Sequence, residues 1–282
     1  MTHIGFSLQA KYSLPTEQMI AHLKDCGFSA VSPVWSPETD MDALAACVRE
    51  HGMTIQSLHA PLAGISRLWE PDFPDSAPIQ DGILGCIDAC AQFSVPVMVI
   101  HGWSGFFYTF RKDALDFRFF DRMVDYAREK GVCVAFENLE GEEFLCALLE
   151  RYRDRPHVGF CWDSGHDNCY PHQTDFLAAF GDRLIMTHIN DNLGLRDPGG
   201  APSGDDDLHF LPYDGHIDWV NAMGRMKAAP RQATLNFELK IRSNSSAPED
   251  LPYTRISVEQ FLKEAGIRAR RIADLYEATL AE

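Results

Sequence analysis

Residues 158–168 read V-G-F-C-W-D-S-G-H-D-N, a run that predicts a buried strand with its chemistry at the carboxyl end. The residues before Asp163 are apolar or small, as in a parallel strand that is covered on both faces. Asp163 ends this apolar run, and Gly165 and His166 follow in the predicted turn. Because the loops after parallel strands carry the functional side chains of many α/β proteins, the same pattern at other strands would predict a shared site.

A short apolar run followed by a longer amphipathic segment recurs along the whole chain. Strands are predicted at 4–7, 30–35, 54–59, 96–101, 132–137, 158–163, 184–189 and 233–238. Helices are predicted near 16–26, 39–51, 76–93, 113–130, 142–152, 173–181, 217–228 and 257–278. Eight alternations in 282 residues predict an α/β fold with one domain, a single (β/α)8 TIM barrel over residues 1–282. An open doubly wound sheet is the alternative, but no G-x-G-x-x-G motif follows the first strand.

Two connections are longer than the turns elsewhere in the chain. Residues 193–212, after the seventh strand, are rich in Gly, Pro and Asp, and residues 241–252, after the eighth, are rich in Ser, Asn and Pro. In a barrel both connections lie on the face formed by the carboxyl ends of the strands, where long loops are usually functional.

The composition is that of an ordinary globular protein with a strong acidic excess. Hydrophobic residues make up 45% and charged residues 23% of the chain, and the formal net charge is −16. This charge opposes attraction to nucleic acid or to an anionic membrane, so we expect neither partner and a small-molecule substrate instead. The amino terminus has no basic segment followed by an apolar run, and the eight cysteines include no C-x-x-C pair. We therefore expect a cytoplasmic protein with free thiols.

Six of the eight predicted strands finish on a histidine, an aspartate or a glutamate. These residues are His59, His101, Glu137, Asp163, His188 and Glu238. Taken singly, a histidine at a strand end is more often a hydrogen-bonded core residue. An acidic residue there is more often part of a salt bridge. Lys240 is the candidate salt-bridge partner of Glu238. Barrel closure brings the strand ends around one axis, so their convergence favours a common site.

Three carboxylates buried at one site repel one another unless a cation or raised pKa values compensate. A divalent metal held by Glu137, Asp163, His188 and Glu238 would compensate this charge. The mixed oxygen and nitrogen ligands suit Mn²⁺, Co²⁺, Mg²⁺ or Zn²⁺, and the sequence does not choose among them.

Further candidate ligands surround this predicted metal site. Asp207 and His209 lie two positions apart in a segment that is predicted to be extended, so both side chains could reach a metal from the same side. The other additional candidates are His59, His101 and His166.

The motifs resemble those of a known family, the xylose isomerase-like (β/α)8 barrels. They are F-E-N at 136–138, D-S-G-H at 163–166, H-I-N-D-N at 188–192, D-L-H-F-L-P-Y-D-G-H-I-D-W at 207–219 and F-E at 237–238. Their order and their placement at successive strand ends extend the resemblance from about Ile4 to Lys240. The family includes sugar-phosphate isomerases and epimerases, ketose 3-epimerases, inosose dehydratases and endonuclease IV.

The resemblance to the epimerases implies an enzyme with one divalent metal held by Glu137, Asp163, His188 and Glu238. It also implies that Glu137 and Glu238 exchange protons on opposite faces of a sugar substrate, one as general base and the other as general acid. In that chemistry the metal stabilises the enediolate that forms when the proton next to the carbonyl leaves.

The resemblance also implies a set of substrate-binding residues. His166 and Glu143 match residues that contact substrate oxygens in the epimerases, and the nearest arginine after the metal-binding His188 is Arg196. Trp103, in an aromatic loop, either stacks on the apolar face of a sugar or packs within its own loop. The remaining candidates for substrate binding are His59 and His101.

Two other branches of the family give alternative functions. The endonuclease IV branch implies a trinuclear zinc phosphodiesterase acting on abasic DNA, and every ligand type that it needs is present. The net charge and the lack of basic clusters in the strand-end loops favour sugar chemistry over DNA cleavage. An inosose dehydratase-like lyase would use the same metal and proton abstraction, and a sugar-binding barrel without catalysis would not need two glutamates. The oligomeric state is left open, a homo-oligomer included.

Overall fold

Parallel strands and helices alternate along the chain in the computed structural model, which describes residues 1–8, 12, 14–197, 199–242, 245 and 252–281. The strands are β1 (His3–Leu8), β2 (Ala30–Pro33), β3 (Thr54–Ile55), β4 (Ser57–His59), β5 (Val97–His101), β6 (Cys133–Glu137), β7 (Val158–Asp163), β8 (Leu184–His188) and β9 (Thr234–Phe237). The helices are α1 (Thr16–Asp25), α2 (Met41–Glu50), α3 (Ser76–Gln92), α4 (Arg118–Lys130), α5 (Glu142–Arg151), α6 (Ser164–Cys169), α7 (Phe176–Phe180), α8 (Trp219–Arg225) and α9 (Val258–Ala281). The alternation predicted from the sequence is therefore confirmed.

The strands close into a barrel. They form two parallel sheets, one in the order β3-β2-β1-β9 and the other in the order β4-β5-β6-β7-β8. Isolated parallel bridges join the two sheets at both seams, between Val34 and His59 and between Ile189 and Phe237. The backbone N–H of Ile189 also donates to the carbonyl of Asn236 at 2.8 Å. The (β/α)8 barrel is thus confirmed, and the open doubly wound sheet is wrong.

The side-chain alternation of the strands separates the outer core from the barrel interior. Val99, Ala135, Cys161 and Met186 pack together as one cluster, separate from the main core, in which Phe136 and Trp162 lie. Because side chains alternate across a strand with a period of two, the residues two positions further on point to the same side as this cluster. Those residues are His101, Glu137, Asp163 and His188.

The register between neighbouring strands brings these ends together in pairs. His101 of β5 lies opposite Glu137 of β6, and Asp163 of β7 lies opposite His188 of β8. The convergence that the sequence suggested is therefore produced by pairing between adjacent strands, at the carboxyl end of the barrel.

Several boundaries differ from the predicted ones. The third predicted strand, 54–59, is divided at Gln56 into β3 and β4, which belong to different sheets. The fourth predicted helix begins at Arg118 and not at Asp113, which lies in a short 3-10 turn. The short helix α6 was not predicted, because six residues are too few to show a helical period.

The two long connections are described to different extents. Residues 193–212 are described except for position 198, and Asp191 and Phe210 form an antiparallel bridge across this segment. Most of the predicted functional loop at 241–252 lies outside the described residues. Among the helices of the described part, none is both long and apolar enough to cross a membrane.

Candidate metal centre

Among the described residues, histidine, aspartate and glutamate side chains gather at the carboxyl end of the barrel in three clusters of potential metal ligands, and a fourth group adds Cys161 to Glu137 and His188. The donor atoms within each cluster all lie within 4.8 Å of one another. The central cluster consists of Glu137, Asp163, His188 and Glu238. The His59 cluster consists of His59, His101 and Glu137, and the Asp207 cluster consists of His166, Asp207 and His209. The structure thus brings together every metal ligand that the sequence suggested.

The central cluster is arranged around the ring of His188. Its Nδ1 lies 2.9 Å from Oε1 of Glu137 and 2.8 Å from Oε2 of Glu238. Glu137, Asp163 and His188 are at most 2% exposed. Adjacent ligands of one octahedral cation lie about 3 Å apart when each is about 2.1 Å from the ion. The three carboxylates and one imidazole therefore fit a divalent metal by spacing, burial and donor type.

Asp163 is fixed by hydrogen bonds on all sides. Its Oδ1 accepts from the backbone N–H of His166 at 2.8 Å, which caps the amino terminus of α6. Asn190 Nδ2 lies 3.1 and 3.0 Å from the two carboxylate oxygens. The Asn138 side chain accepts from the backbone N–H of Asp163 at 2.7 Å and donates to its carbonyl at 2.8 Å. Such partners hold a ligand in place before metal binds.

Gly165→Ala is expected to weaken metal binding at least about tenfold and to destabilise the fold by about 2 kcal/mol. A Cβ at Gly165 would overlap the side chain of Asn190, and Asn190 could then no longer hold Asp163. Metal titration calorimetry and thermal unfolding measure the two effects. Gly204→Ala is the matched control, because a Cβ there meets nothing within 4 Å. Unchanged metal affinity in Gly165→Ala would show that Asn190 does not position Asp163.

In the His59 cluster, both histidines face one oxygen of Glu137. Nε2 of His59 and Nε2 of His101 lie 3.2 and 3.3 Å from Glu137 Oε2. Nδ1 of His59 lies 2.8 Å from the Ala60 carbonyl, which can only accept, so this nitrogen carries a proton. The other ring nitrogen, Nε2, is therefore the atom of His59 that faces the site and that would bind a metal, as in metal-binding histidines.

In the Asp207 cluster, two histidines likewise face one carboxylate oxygen, Oδ2 of Asp207. His209 Nε2 lies 2.7 Å and His166 Nε2 lies 3.6 Å from this oxygen. Their Nδ1 atoms donate to backbone carbonyls, that of His209 to Glu238 and that of His166 to Asn138, at 2.9 and 2.8 Å. His209 has a φ of 51°, so the segment is not extended there as predicted. This left-handed backbone turns the His209 ring back onto Asp207, at a cost of about 1–3 kcal/mol.

Histidine rings compensate the buried carboxylates. Burial alone would raise the pKa of Glu137, but the adjacent His188 and His101 hold it well below its ordinary value. The same opposition acts on Asp207, where burial is outweighed by His209 and His166 and the pKa is well below its ordinary value. Asp163 is the exception, since burial raises its pKa to about 6. A metal bound here would take over the compensating role of the imidazolium rings.

Metal affinity is expected to depend on pH in two regimes. Burial lowers the pKa of His188, but Cys161, Glu137 and Glu238 outweigh it and raise the pKa well above its ordinary value, so metal must displace this proton near neutral pH. Below about pH 6 it must also displace the proton of Asp163. As the pH is lowered, the metal affinity should therefore fall about tenfold per pH unit above pH 6 and about 100-fold per unit below pH 6.

Calorimetric titration of the metal-free protein with Mn²⁺ between pH 5 and 8 measures this dependence. Asp163→Asn, which cannot bind a proton in that range, should lose the steeper limb while keeping the shallower one. A constant slope over the whole range in the unmodified protein would contradict the role given to Asp163.

Cys161 also lies near Glu137 and His188, but its thiol is a poor ligand. Burial raises the pKa of Cys161 to about 12, and only the thiolate binds metals well. The donor set of the central cluster therefore remains one nitrogen and carboxylate oxygens.

Three predicted substrate-binding residues, Glu143, Trp103 and Arg196, contact residues outside the metal-ligand clusters. Glu143 Oε2 accepts from the Tyr108 hydroxyl at 2.7 Å, and Glu143 lines a surface cavity of about 630 Å³ beside α5. The Trp103 ring stacks on Phe144 of α5 at 4.2 Å. Arg196 Nε lies 3.9 Å from Asp206. None of the three belongs to the metal-ligand clusters found among the described residues, and their contact with a substrate stays a prediction.

Sequence reasoning missed the residues that hold the ligands. Asn138 and Asn190 are fully buried and bind Asp163, and both lie inside the quoted motifs F-E-N and H-I-N-D-N. A buried asparagine next to a candidate ligand is the signal that could have identified them. Lys240 was considered only as a partner of Glu238, whereas its ammonium lies 3.8 Å from Asp207.

A family model and a sequence relative match this chain. The model, described as xylose isomerase-like TIM barrel, matches residues 20–264. An uncharacterized protein, y4fM of Sinorhizobium fredii (strain NBRC 101917 / NGR234), is 33% identical over 164 residues. That alignment covers 54% of this chain and 49% of the relative, so the chain matches about half of the relative's length.

Solved structures share the fold. An IOLI protein with a bound zinc atom is 17% identical, with a TM-score of 0.73 and full coverage of both chains. An L-ribulose 3-epimerase is 14% identical, with a TM-score of 0.73, over 99% of this chain and 96% of the epimerase. The 3-keto-D-glucoside 4-epimerase YcjR of E. coli is 16% identical, with a TM-score of 0.68, over 96% of this chain and 100% of that one. At these identities the likeness concerns the fold alone.

Proposed function

This chain belongs to the xylose isomerase-like TIM barrel family, and we propose that it is a divalent-metal-dependent isomerase or epimerase of a sugar or sugar-like polyol. The observation that carries the proposal is the position of Glu137 and Glu238. They approach His188 Nδ1 from the ends of two different strands, at 2.9 and 2.8 Å, within the central cluster. Two carboxylates so placed can act on opposite faces of one substrate carbon.

The two glutamates divide the proton transfers between them. One accepts the proton from the carbon next to the substrate carbonyl, and the electrons of that bond move onto the carbonyl oxygen. Glu137, Asp163, His188 and Glu238 would hold a divalent metal here, and such an ion would supply Lewis-acid stabilisation of the negative charge on the substrate oxygen. The other glutamate, after taking up a proton from solvent, donates it to the opposite face of the carbon while the carbonyl bond re-forms, which inverts the configuration. Return of a proton to the neighbouring carbon would give an isomer instead.

The surroundings of the site favour a neutral substrate. The net charge of −16 repels polyanions, and among the described ion pairs at the three clusters Lys240 supplies the single lysine or arginine side chain. We therefore propose a small sugar-like substrate and no nucleic-acid or membrane partner. The shared fold of the L-ribulose 3-epimerase is consistent with this substrate class.

Proton exchange with solvent tests the proposal. The protein loaded with Mn²⁺, Co²⁺, Mg²⁺ or Zn²⁺ is incubated in D₂O with ketoses, aldoses and keto-inositols, both free and phosphorylated. Deuterium at the carbon next to the carbonyl, together with an epimer or isomer in the NMR spectrum, is the expected result. A product that has lost water would indicate the dehydratase-like lyase. Absence of exchange with every compound and every metal would contradict the proposal.

The three clusters together favour one second candidate, a trinuclear zinc phosphodiesterase acting on abasic DNA. The clusters contain all nine residues onto which the resemblance to endonuclease IV maps its zinc ligands, namely His59, His101, Glu137, Asp163, His166, His188, Asp207, His209 and Glu238. Elemental analysis and a nicking assay on abasic duplex separate the two functions. Near three equivalents of zinc with nicking would support the nuclease, and about one equivalent of metal with sugar turnover would support the epimerase.

A further inference from the structure

Lys240 lies at the edge of the site and has no part in the proton transfers. Its side chain is 12% exposed, and its Nζ lies 3.8 Å from Oδ2 of Asp207. The backbone N–H of Lys240 donates to the carbonyl of His209 at 3.0 Å, which fixes the start of the side chain beside the Asp207 cluster. This backbone hydrogen bond therefore keeps the Lys240 ammonium close to the Asp207 cluster.

The ammonium and a metal at the Asp207 cluster would depend on the same oxygen. Oδ2 of Asp207 is the atom that lies 2.7 Å from His209 Nε2 and 3.6 Å from His166 Nε2. A dication held by these three residues would place its charge on the oxygen that Lys240 already faces. Two like charges so close, in a largely buried site, repel each other strongly.

The central cluster differs in this respect. The described ion pairs of Glu137 and Asp163 all involve histidine rings. A histidine ring has a nitrogen that can itself bind a metal, so these partners are also ligands. A lysine ammonium has three N–H donors and no acceptor, so it is not a ligand and its positive charge opposes a metal.

We propose that Lys240 keeps divalent metal out of the Asp207 cluster while the central cluster binds it. His166 and Asp207 then remain available for substrate hydroxyls. This inference deepens the proposed function, on which it rests only in taking the central cluster as the metal site. It does not depend on which sugar is turned over.

Metal counting by equilibrium dialysis and elemental analysis tests the inference. The full-length protein, stripped of metal, is titrated with Zn²⁺ and with Mn²⁺. Lys240→Met is expected to bind one equivalent more than the unmodified protein, with at least about tenfold higher affinity at the added site. Lys240→Arg, which keeps the charge, should behave as the unmodified protein, and Lys227→Met on the exposed surface is the control.

Removal of His209 identifies the cluster concerned. His209→Ala in the unmodified background should leave the metal count unchanged, and in the Lys240→Met background it should remove the added equivalent. A lower count in His209→Ala alone, or an unchanged count in Lys240→Met, would overturn the inference. If Lys240→Met does not fold, His209→Ala and Lys240→Gln still decide it. Sugar turnover is measured separately, so counts as expected without turnover would refute the proposed function and leave the role of Lys240 intact.

Discussion

Glu238→Gln is expected to lower kcat for epimerisation by about 1,000-fold or more. Glutamine has nearly the same shape, but its amide cannot accept the proton that leaves the substrate carbon. Nδ1 of His188 lies 2.8 Å from Glu238 Oε2. Burial alone would raise the pKa of Glu238, but His188 outweighs it and holds this pKa below its ordinary value. The carboxylate is therefore ionised at neutral pH and can act as a base. Turnover at saturating Mn²⁺, together with the metal content of the variant, measures the effect.

Deuterium exchange separates loss of a base from loss of the metal. If Glu137 and Glu238 serve opposite faces, Glu238→Gln should lose epimerisation while Glu137 still exchanges deuterium into one of the two epimers. Glu137→Gln should show the reverse. Glu129→Gln on the exposed face of α4 is the matched control and should keep full activity. Turnover that survives in both Glu137→Gln and Glu238→Gln would refute the proton-exchange mechanism.

The fold could be predicted from the sequence because its signals are local. Short apolar runs such as 158–162 mark the strands, and Gly27, Gly52 and Gly131 follow helices with positive φ as expected. The division of the third strand at Gln56 was not predictable, because it depends on which sheet each half joins. That choice is made by closure of the barrel and not by local propensity.

The sequence predicted which residues lie at the candidate site better than it predicted how their side chains are arranged. His101 and Glu137 meet because β5 and β6 pair in one register, and a shift of one residue would turn either side chain away. The left-handed backbone of His209, with a φ of 51°, reverses the local extension expected from its spacing with Asp207. Such a conformation is imposed by tertiary contacts, so the sequence around it carries no signal.

The contacts of the candidate substrate-binding residues beyond the strand ends were the least predictable. Trp103, in the loop after β5, stacks on Phe144, and Glu143, in the first turn of α5, accepts from the Tyr108 hydroxyl. The partners of a loop side chain depend on how the loop packs, which spacing along the chain does not determine. The candidate metal ligands Glu137, Asp163 and His188, by contrast, are placed by strands, and every candidate ligand named from the sequence lies in one of the clusters.

Removal of divalent metal is expected to abolish turnover and to lower the thermal midpoint by about 8 °C relative to the metal-saturated protein. The central cluster gathers Glu137, Asp163 and Glu238, and without a dication the described ion pairs of these carboxylates are with histidine rings. A metal present at about 1,000 times its Kd stabilises a protein by about 4 kcal/mol, and each kcal/mol shifts the midpoint of a domain of this size by about 2 °C. Scanning calorimetry with chelator and with added metal measures the shift.

Asp163→Asn distinguishes stabilisation through the central cluster from metal binding elsewhere. This variant keeps the shape of the side chain but loses the charge, so metal should raise its midpoint much less than that of the unmodified protein. Restored turnover when metal is added back would show that the chelator acted on the metal and not on the fold. An equal metal-dependent shift in Asp163→Asn would place the stabilising ion outside the central cluster, and would remove the support that this cluster gives to enediolate chemistry.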